Sequence, residues 1–188
     1  MKKILALILA VLMVVSLAAC SSKPATSSSS SSSAYNSALE LYTAIWDKVT
    51  DKFATFGGNQ NENAVMDAPG KFDMSDTDGL TYLLLLPESV QSKIDDVASM
   101  IHMMNANTFT SAVLHLKEGT AADVAKEIEN TVMNNQFMCG FPEKLVIFSV
   151  GDYLFYAFGN GEAVDMVVNS GKANLQGEVS VLCDKPIE

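Results

Sequence analysis

Arginine is absent from this 188-residue chain: the 12 basic residues are all Lys, against 22 acidic ones, for a formal net charge of −10. Nucleic-acid binding needs a basic patch, usually with Arg forks that match phosphate, so that class of partner is excluded. An acidic, Arg-free surface also has no electrostatic hold on anionic lipid. Histidine is nearly missing, with only His102 and His115. There is no Gly-x-Ser-x-Gly elbow for acyl transfer, and the two His lack an evident Ser or Asp arrangement. With three Cys (Cys20, Cys139 and Cys183) the chain is not a disulfide scaffold. Its 48% hydrophobic content supplies a core without such staples.

Against those absences, the N-terminus is rich in signal. Lys2 and Lys3 precede an apolar run over residues 4–15, the length of a signal-peptide h-region. A spanning helix needs about 20 predominantly apolar residues, and here a polar Ser tract follows instead of a stop-transfer charge cluster. The run closes on Leu17-Ala18-Ala19-Cys20. This segment resembles the lipobox of bacterial prolipoproteins. The resemblance implies cleavage between Ala19 and Cys20 and a diacylglyceryl group on the Cys20 thiol. It implies, too, a protein anchored to the cell membrane on its extracytoplasmic face. Cleavage would remove 19 of the 188 residues and leave 169, the usual size of one domain.

Residues 20–33 comprise Cys20, the stretch Ser-Ser-Lys-Pro-Ala-Thr and seven consecutive Ser. Such a tract buries nothing and reads as a flexible tether with a reach of about 20 Å. Residues 34–188 are expected to form a single folded domain. Leu39, Tyr42, Trp46, Val49, Phe53 and Phe56 recur at helical spacing, which predicts a first helix stopped by Gly57-Gly58. Residues 59–74 read as a loop with a short extended piece near Val65. A short helix is expected from Ser75 or Asp76 through Leu86, and another turn from Glu88 after Pro87.

The period then changes. Residues 97–103 and 109–116 flank Asn105-Ala106-Asn107 as a hairpin, and residues 145–150 and 153–158 flank Gly151-Asp152 as a second. Thr120 is the expected N-cap of a helix to about Gln136. A last helix is predicted over residues 162–169, ended by Gly171, with one weak strand at 178–182. The expected fold is α+β: a mainly antiparallel sheet of four to five strands, with helices packed on it in the order helix-ββ-helix-ββ-helix.

Each candidate constellation meets a chemical objection. Met100, His102 and Met104 alternate along one strand face and are soft ligands suited to Cu(I), but a line of side chains does not converge on an ion. His102 and His115 are expected roughly 10–17 Å apart along the hairpin. Asp73, Asp76 and Asp78 before Gly79 suggest a calcium loop, yet the register puts Met74 and Leu85 at its two end ligand positions. Gly159-Asn160-Gly161 lacks the third glycine of a dinucleotide fingerprint, since Val164 stands there, and Glu162 sits where phosphate would bind. Glu118, Glu127, Glu129 and Glu143 are scattered, and Glu127 and Glu129 do not face each other on a helix. No catalytic residue, metal ligand or cofactor is therefore assigned. For Cys139 and Cys183 the sequence leaves a disulfide and two inert thiols both open.

Three features resemble a family of small bacterial lipoproteins of unknown function. They are the Ser-rich tether, the strand 111–117 feeding the Thr120 helix, and the segment 146–154. The resemblance spans about residues 75–170 and implies a surface lipoprotein without transferring any catalytic residue. The expected function is an interaction or ligand-binding module of the cell envelope, acting on an envelope protein or a small ligand. The alternative is an envelope-acting hydrolase.

Overall fold

The computed structural model describes residues 34–62, 64–117 and 119–188. Ala19, Cys20 and the Ser tract lie outside the described residues, so the cleavage and lipidation expectations rest on sequence. Helix α1 spans Ala38–Trp46, followed by three short strands, β1 (Thr55–Gly57), β2 (Val65–Met66) and β3 (Gly70–Lys71). A π-helical turn (Gly79–Leu83) and the short α2 (Glu88–Gln91) lead into β4 (Ile94–His102) and β5 (Phe109–Leu116). Next come α3 (Ala121–Met133), β6 (Lys144–Val150), β7 (Tyr153–Gly159), α4 (Gly161–Lys172) and β8 (Val179–Pro186).

The strands form one eight-stranded sheet in the order β2-β1-β4-β5-β7-β6-β8, with β3 paired to β4 beside β1. Every pairing is antiparallel. The α+β class and the helices packed on an antiparallel sheet are as expected, but the sheet is larger than four to five strands. The helix-ββ-helix-ββ-helix order is also interrupted. Three short strands and a π-helical turn intervene before the first long hairpin, while β8 is the strand expected near 178–182, extended to Pro186 and paired with β6.

Both faces of the sheet are covered. Leu41, Ile45, Val164, Val167 and Val168 of α1 and α4 pack with Met100, Val113, Phe148 and Phe155 on one face. Val124, Ile128 and Val132 of α3, with Phe72, Leu84 and Leu86, pack with Val97, Leu114, Ile147 and Tyr156 on the other. This explains why β6 and β7 read as near-continuous apolar runs, broken within the buried part of β6 only by Ser149: strands buried on both faces lose the polar alternation of a half-exposed sheet.

α1 begins with a reciprocal cap. Ser37 Oγ accepts from Glu40 N, and Glu40 accepts from Asn36 N, which holds the Glu40 carboxyl below its usual range. The helix ends at Trp46 rather than near Phe56. Val49 and half-buried Phe53 still pack on the α1 face, so the apolar stripe outlasts the helix. Phe56 belongs to β1 and points to the opposite face. Gly57-Gly58 is not a helix stop: a Cβ at Gly57 would lie 2.1 Å from Gly70 N, so the pair Gly57 and Gly70 lets two strands approach. Gly171 likewise does not end α4 but lies inside it, against Ile45.

Candidate functional site

A cleft of about 480 Å³ opens where the 59–74 segment crosses the N-terminal half of β4 and is lined by Asn59, Asn61, Lys71, Phe72, Asp73, Met74, Asp95 and Asp96. Its floor depends on Asn59, which is buried. Asn59 Oδ1 accepts from Asp73 N at 2.6 Å, and its Nδ2 donates to Asp76 Oδ2 at 2.8 Å. The other Asp76 oxygen accepts from Gly79 N at 2.9 Å. One amide thereby ties the loop to the start of the π-helical turn. Asp73 accepts from Ser75 N and Ser75 Oγ, and those donors hold its carboxyl below the usual range. The loop that resembled a calcium site is a set of side-chain caps, and Asp78 at its end is exposed.

A β-bulge shapes the opposite wall. Ile94 pairs with Leu116 and Asp96 with His115, which leaves Asp95 as the extra residue of β4. The bulge turns Asp95 and Asp96 toward the same side. Asp96 Oδ2 accepts from Ala38 N at 2.8 Å, and its other oxygen lies 3.5 Å from Lys71 Nζ. Asp95 Oδ1 meets His115 Nδ1 at 2.5 Å. The His115 ring lies 4.8 Å from that of Tyr153, whose phenol donates to Tyr35 O at 3.3 Å. Burial and the surrounding carboxylates raise the Tyr153 phenol above its ordinary value.

The Asp95–His115 pair was not legible in the sequence. The two residues are twenty apart, on neighbouring strands, and the bulge that joins them shifts the register a regular hairpin would have. The pairing of Ile94 with Leu116 marks where that shift falls.

The other candidates separate. His102 lies beyond the Ile101–Thr110 pair and His115 opposite Asp96, six residues back along β4, or about 20 Å. His102 stacks on Phe53, and its Nδ1 accepts from Met104 N at 3.2 Å. Met100 is fully buried under α1, whereas Met104 is exposed beyond the strand, so the Met-His-Met trio is divided among core, strand end and solvent. Among the described residues no group of three or more His, Cys, Asp or Glu is arranged to hold a metal ion. Gly159-Asn160-Gly161 is a tight strand-to-helix turn whose helix N-terminus is occupied: Glu143 Oε2 accepts from Gly161 N at 2.9 Å. Glu129 pairs with Lys185, and Glu127 accepts from Ser89 Oγ at 3.4 Å. Glu118 lies outside the described residues.

Cys139 and Cys183 are free thiols in this structure, one exposed in the 134–143 loop and one buried in β8. Burial pushes the Cys183 thiol up to about 11. Among the described residues no helix is long and apolar enough to cross a membrane.

Comparison with protein-family models, curated proteins and solved structures finds no match to this chain.

Proposed function

We propose that this chain is a lipoprotein held on the extracytoplasmic face of the cell membrane by a diacylglyceryl group on Cys20. Its α+β domain serves as an interaction or ligand-binding module of the envelope. The anchor rests on the lipobox resemblance of residues 17–20 and the basic and apolar segments before it. The binding role rests on the 480 Å³ cleft, whose walls carry Asp73, Asp95 and Asp96 against a single Lys71. That excess of carboxylate favours a small cationic ligand over an anion. The carboxylates are already oriented by Ser75, His115 and the α1 N-terminus, so little ordering accompanies binding.

Thermal unfolding with spermidine, choline, acetate or phosphate at matched ionic strength tests the ligand class. A cation should raise Tm while acetate and phosphate do not, and Asp95→Asn should reduce the shift. Equal shifts from cations and anions would contradict a cation-selective cleft.

One observation favours the second reading, an envelope hydrolase: Asp95 orients His115 through Nδ1, as a carboxylate does for a general base. Hydrolysis of envelope polymer that His115→Ala abolishes without changing Tm would establish it.

A further inference from the structure

Exposed apolar side chains are concentrated at one end of the domain. Among the described residues eight large hydrophobic side chains are exposed, and six of them lie where β4 ends and β5 and β6 begin: Val65, Met66, Met103, Met104, Met138 and Phe141. Val65 and Met66 reach this end because β2 pairs with β1, and β1 pairs with residues 100–102 of β4. Met103, Met104, Met138 and Phe141 stand on two loops, residues 103–108 and 134–142, that carry no Asp, Glu or Lys at all. In a chain that is 18% charged, that is an unusual stretch of surface. Interface cores have this composition, poor in charge and rich in Met and aromatic side chains.

The two loops are fixed to each other. Asn105 Nδ2 donates to Cys139 O at 2.6 Å, and Asn107 Nδ2 donates to Met138 O at 2.8 Å and Gly140 O at 3.0 Å. These bonds hold Cys139 in the left-handed region, at φ 63, where a residue with a Cβ is strained. A surface already ordered in this way loses little conformational entropy when it is covered.

We propose that this end of the domain is a self-association surface, on which two copies of the chain pack about a two-fold axis. Charge restricts the face on which two copies can meet. The full chain carries a net charge of −10, and from residue 20 onward, without Lys2 and Lys3, 10 Lys stand against 22 acidic residues, so like charges oppose approach over the acidic surface and oppose it least where both loops are uncharged. Area is consistent as well. Met104, Met138 and Phe141 are 83%, 79% and 82% exposed. With Met103, these side chains offer on the order of 500 Å² per copy, taking a fully exposed side chain of this size at about 200 Å². Two such faces bury about 1,000 Å², enough for a weak specific dimer. The unbranched Met side chains adapt to their own copies across the axis. The chain enters the domain at the other end of β4, where Ala38 bonds Asp96 and Tyr35 bonds Tyr153, so the patch is not covered by the start of the domain. This inference does not depend on the lipid anchor or on the cleft.

Sedimentation equilibrium on the chain from residue 20 onward, carrying Cys20→Ser to keep it lipid-free, is the test. The expected result is a monomer–dimer equilibrium with Kd in the micromolar range that tightens as added salt screens the repulsion between the two acidic copies. Met104→Asp and Phe141→Asp place like charges across the axis, and each should weaken the dimer at least about tenfold. Both positions are exposed, so an unchanged urea midpoint shows that the variants still fold. A short bismaleimide should join Cys139 to its own copy, and Cys139→Ser should prevent it. A monomer at all concentrations would overturn the proposal. So would a dimer indifferent to both substitutions. Cosedimentation of the unlipidated chain with phosphatidylcholine vesicles, lost in Met104→Asp, would assign the patch to lipid and overturn it too.

Discussion

Tyr42 on α1 and Ser111 on β5 are hydrogen-bonded to each other at full burial, and the direction of that bond is fixed by a third group. Ser111 Oγ donates to Met100 O at 3.0 Å, so its one proton is committed and the Tyr42 phenol must be the donor. Burial accordingly raises the Tyr42 phenol well above its ordinary value. The relay joins α1, β5 and β4 inside a largely apolar layer.

The two partners are therefore not equivalent. Ser111→Ala strands a buried phenol proton and should cost about 1–3 kcal/mol, whereas Tyr42→Phe removes a donor and leaves Ser111 bonded to Met100 O, costing about 1 kcal/mol. Urea unfolding should show Ser111→Ala as the less stable of the two. The double variant should lose less than the sum of the singles, since the stranded proton is gone.

Gly171 is a packing residue inside α4. A Cβ there would lie 2.6 Å from Ile45 Cγ2 on α1. Helix propensity favours Ala over Gly by about 1 kcal/mol, but overpacking costs about 1–3 kcal/mol, so Gly171→Ala should be destabilising on balance. Ile45→Ala in the same chain should reverse the sign of the Gly171→Ala effect, read from urea midpoints.

Much of this architecture was legible from pattern alone. The two long hairpins came from β-branched and aromatic runs around turn residues, and Thr120 does cap α3, accepting from Asp123 N. The length of α1 was not legible, because Val49 and Phe53 keep helical spacing while packing from a non-helical segment. Nor were β1, β2 and β3: strands of two or three residues have no period, and their pairing with β4 is fixed by distant contacts and close Gly–Gly approach. The cleft depends on those same short strands and on the Asp95 bulge, so it was missed with them. What the sequence did indicate, in Asp73, Asp76 and Asp78, was a polar loop whose partner, Asn59, lies across the fold.

Lys144 joins β6 to α4 and β8, with Asp165 Oδ1 at 2.6 Å and Asp184 Oδ1 at 3.0 Å. The hydrogen bond it donates to Asp165, then the one it donates to Asp184, raises its ammonium above the ordinary 10.5. A raised folded value means that the stabilisation is fully present below pH 10.5 and is lost as pH rises through the folded value. Both carboxylates are about half exposed, so the contribution is about 0.5–1 kcal/mol. Lys144→Met should lose that amount at neutral pH, and its urea midpoint should converge with that of wild type above pH 10.5. Curves that stay parallel would contradict this role.

The two remaining thiols should behave differently. In a chain carrying Cys20→Ser, exposed Cys139 should react at once with a thiol reagent, while buried Cys183, with its thiol pushed up to about 11, should react only on unfolding. Quantification of free thiol in the native and unfolded protein gives one and then two. A native protein with no free thiol until reduction would reveal a Cys139–Cys183 disulfide instead.

The central claim is lipid attachment at Cys20, and mass spectrometry of the N-terminal peptide from membrane-extracted protein tests it most directly. The lipobox resemblance predicts a chain that begins at Cys20 and carries a thioether-linked diacylglyceryl group, two acyl chains being enough for stable anchoring where one is not. Cys20→Ser should abolish that modification, and with only Lys23 basic in residues 20–33 no electrostatic attachment replaces it. An unmodified N-terminus, or one that begins at any residue other than Cys20, would contradict both the anchor and the localisation drawn from it.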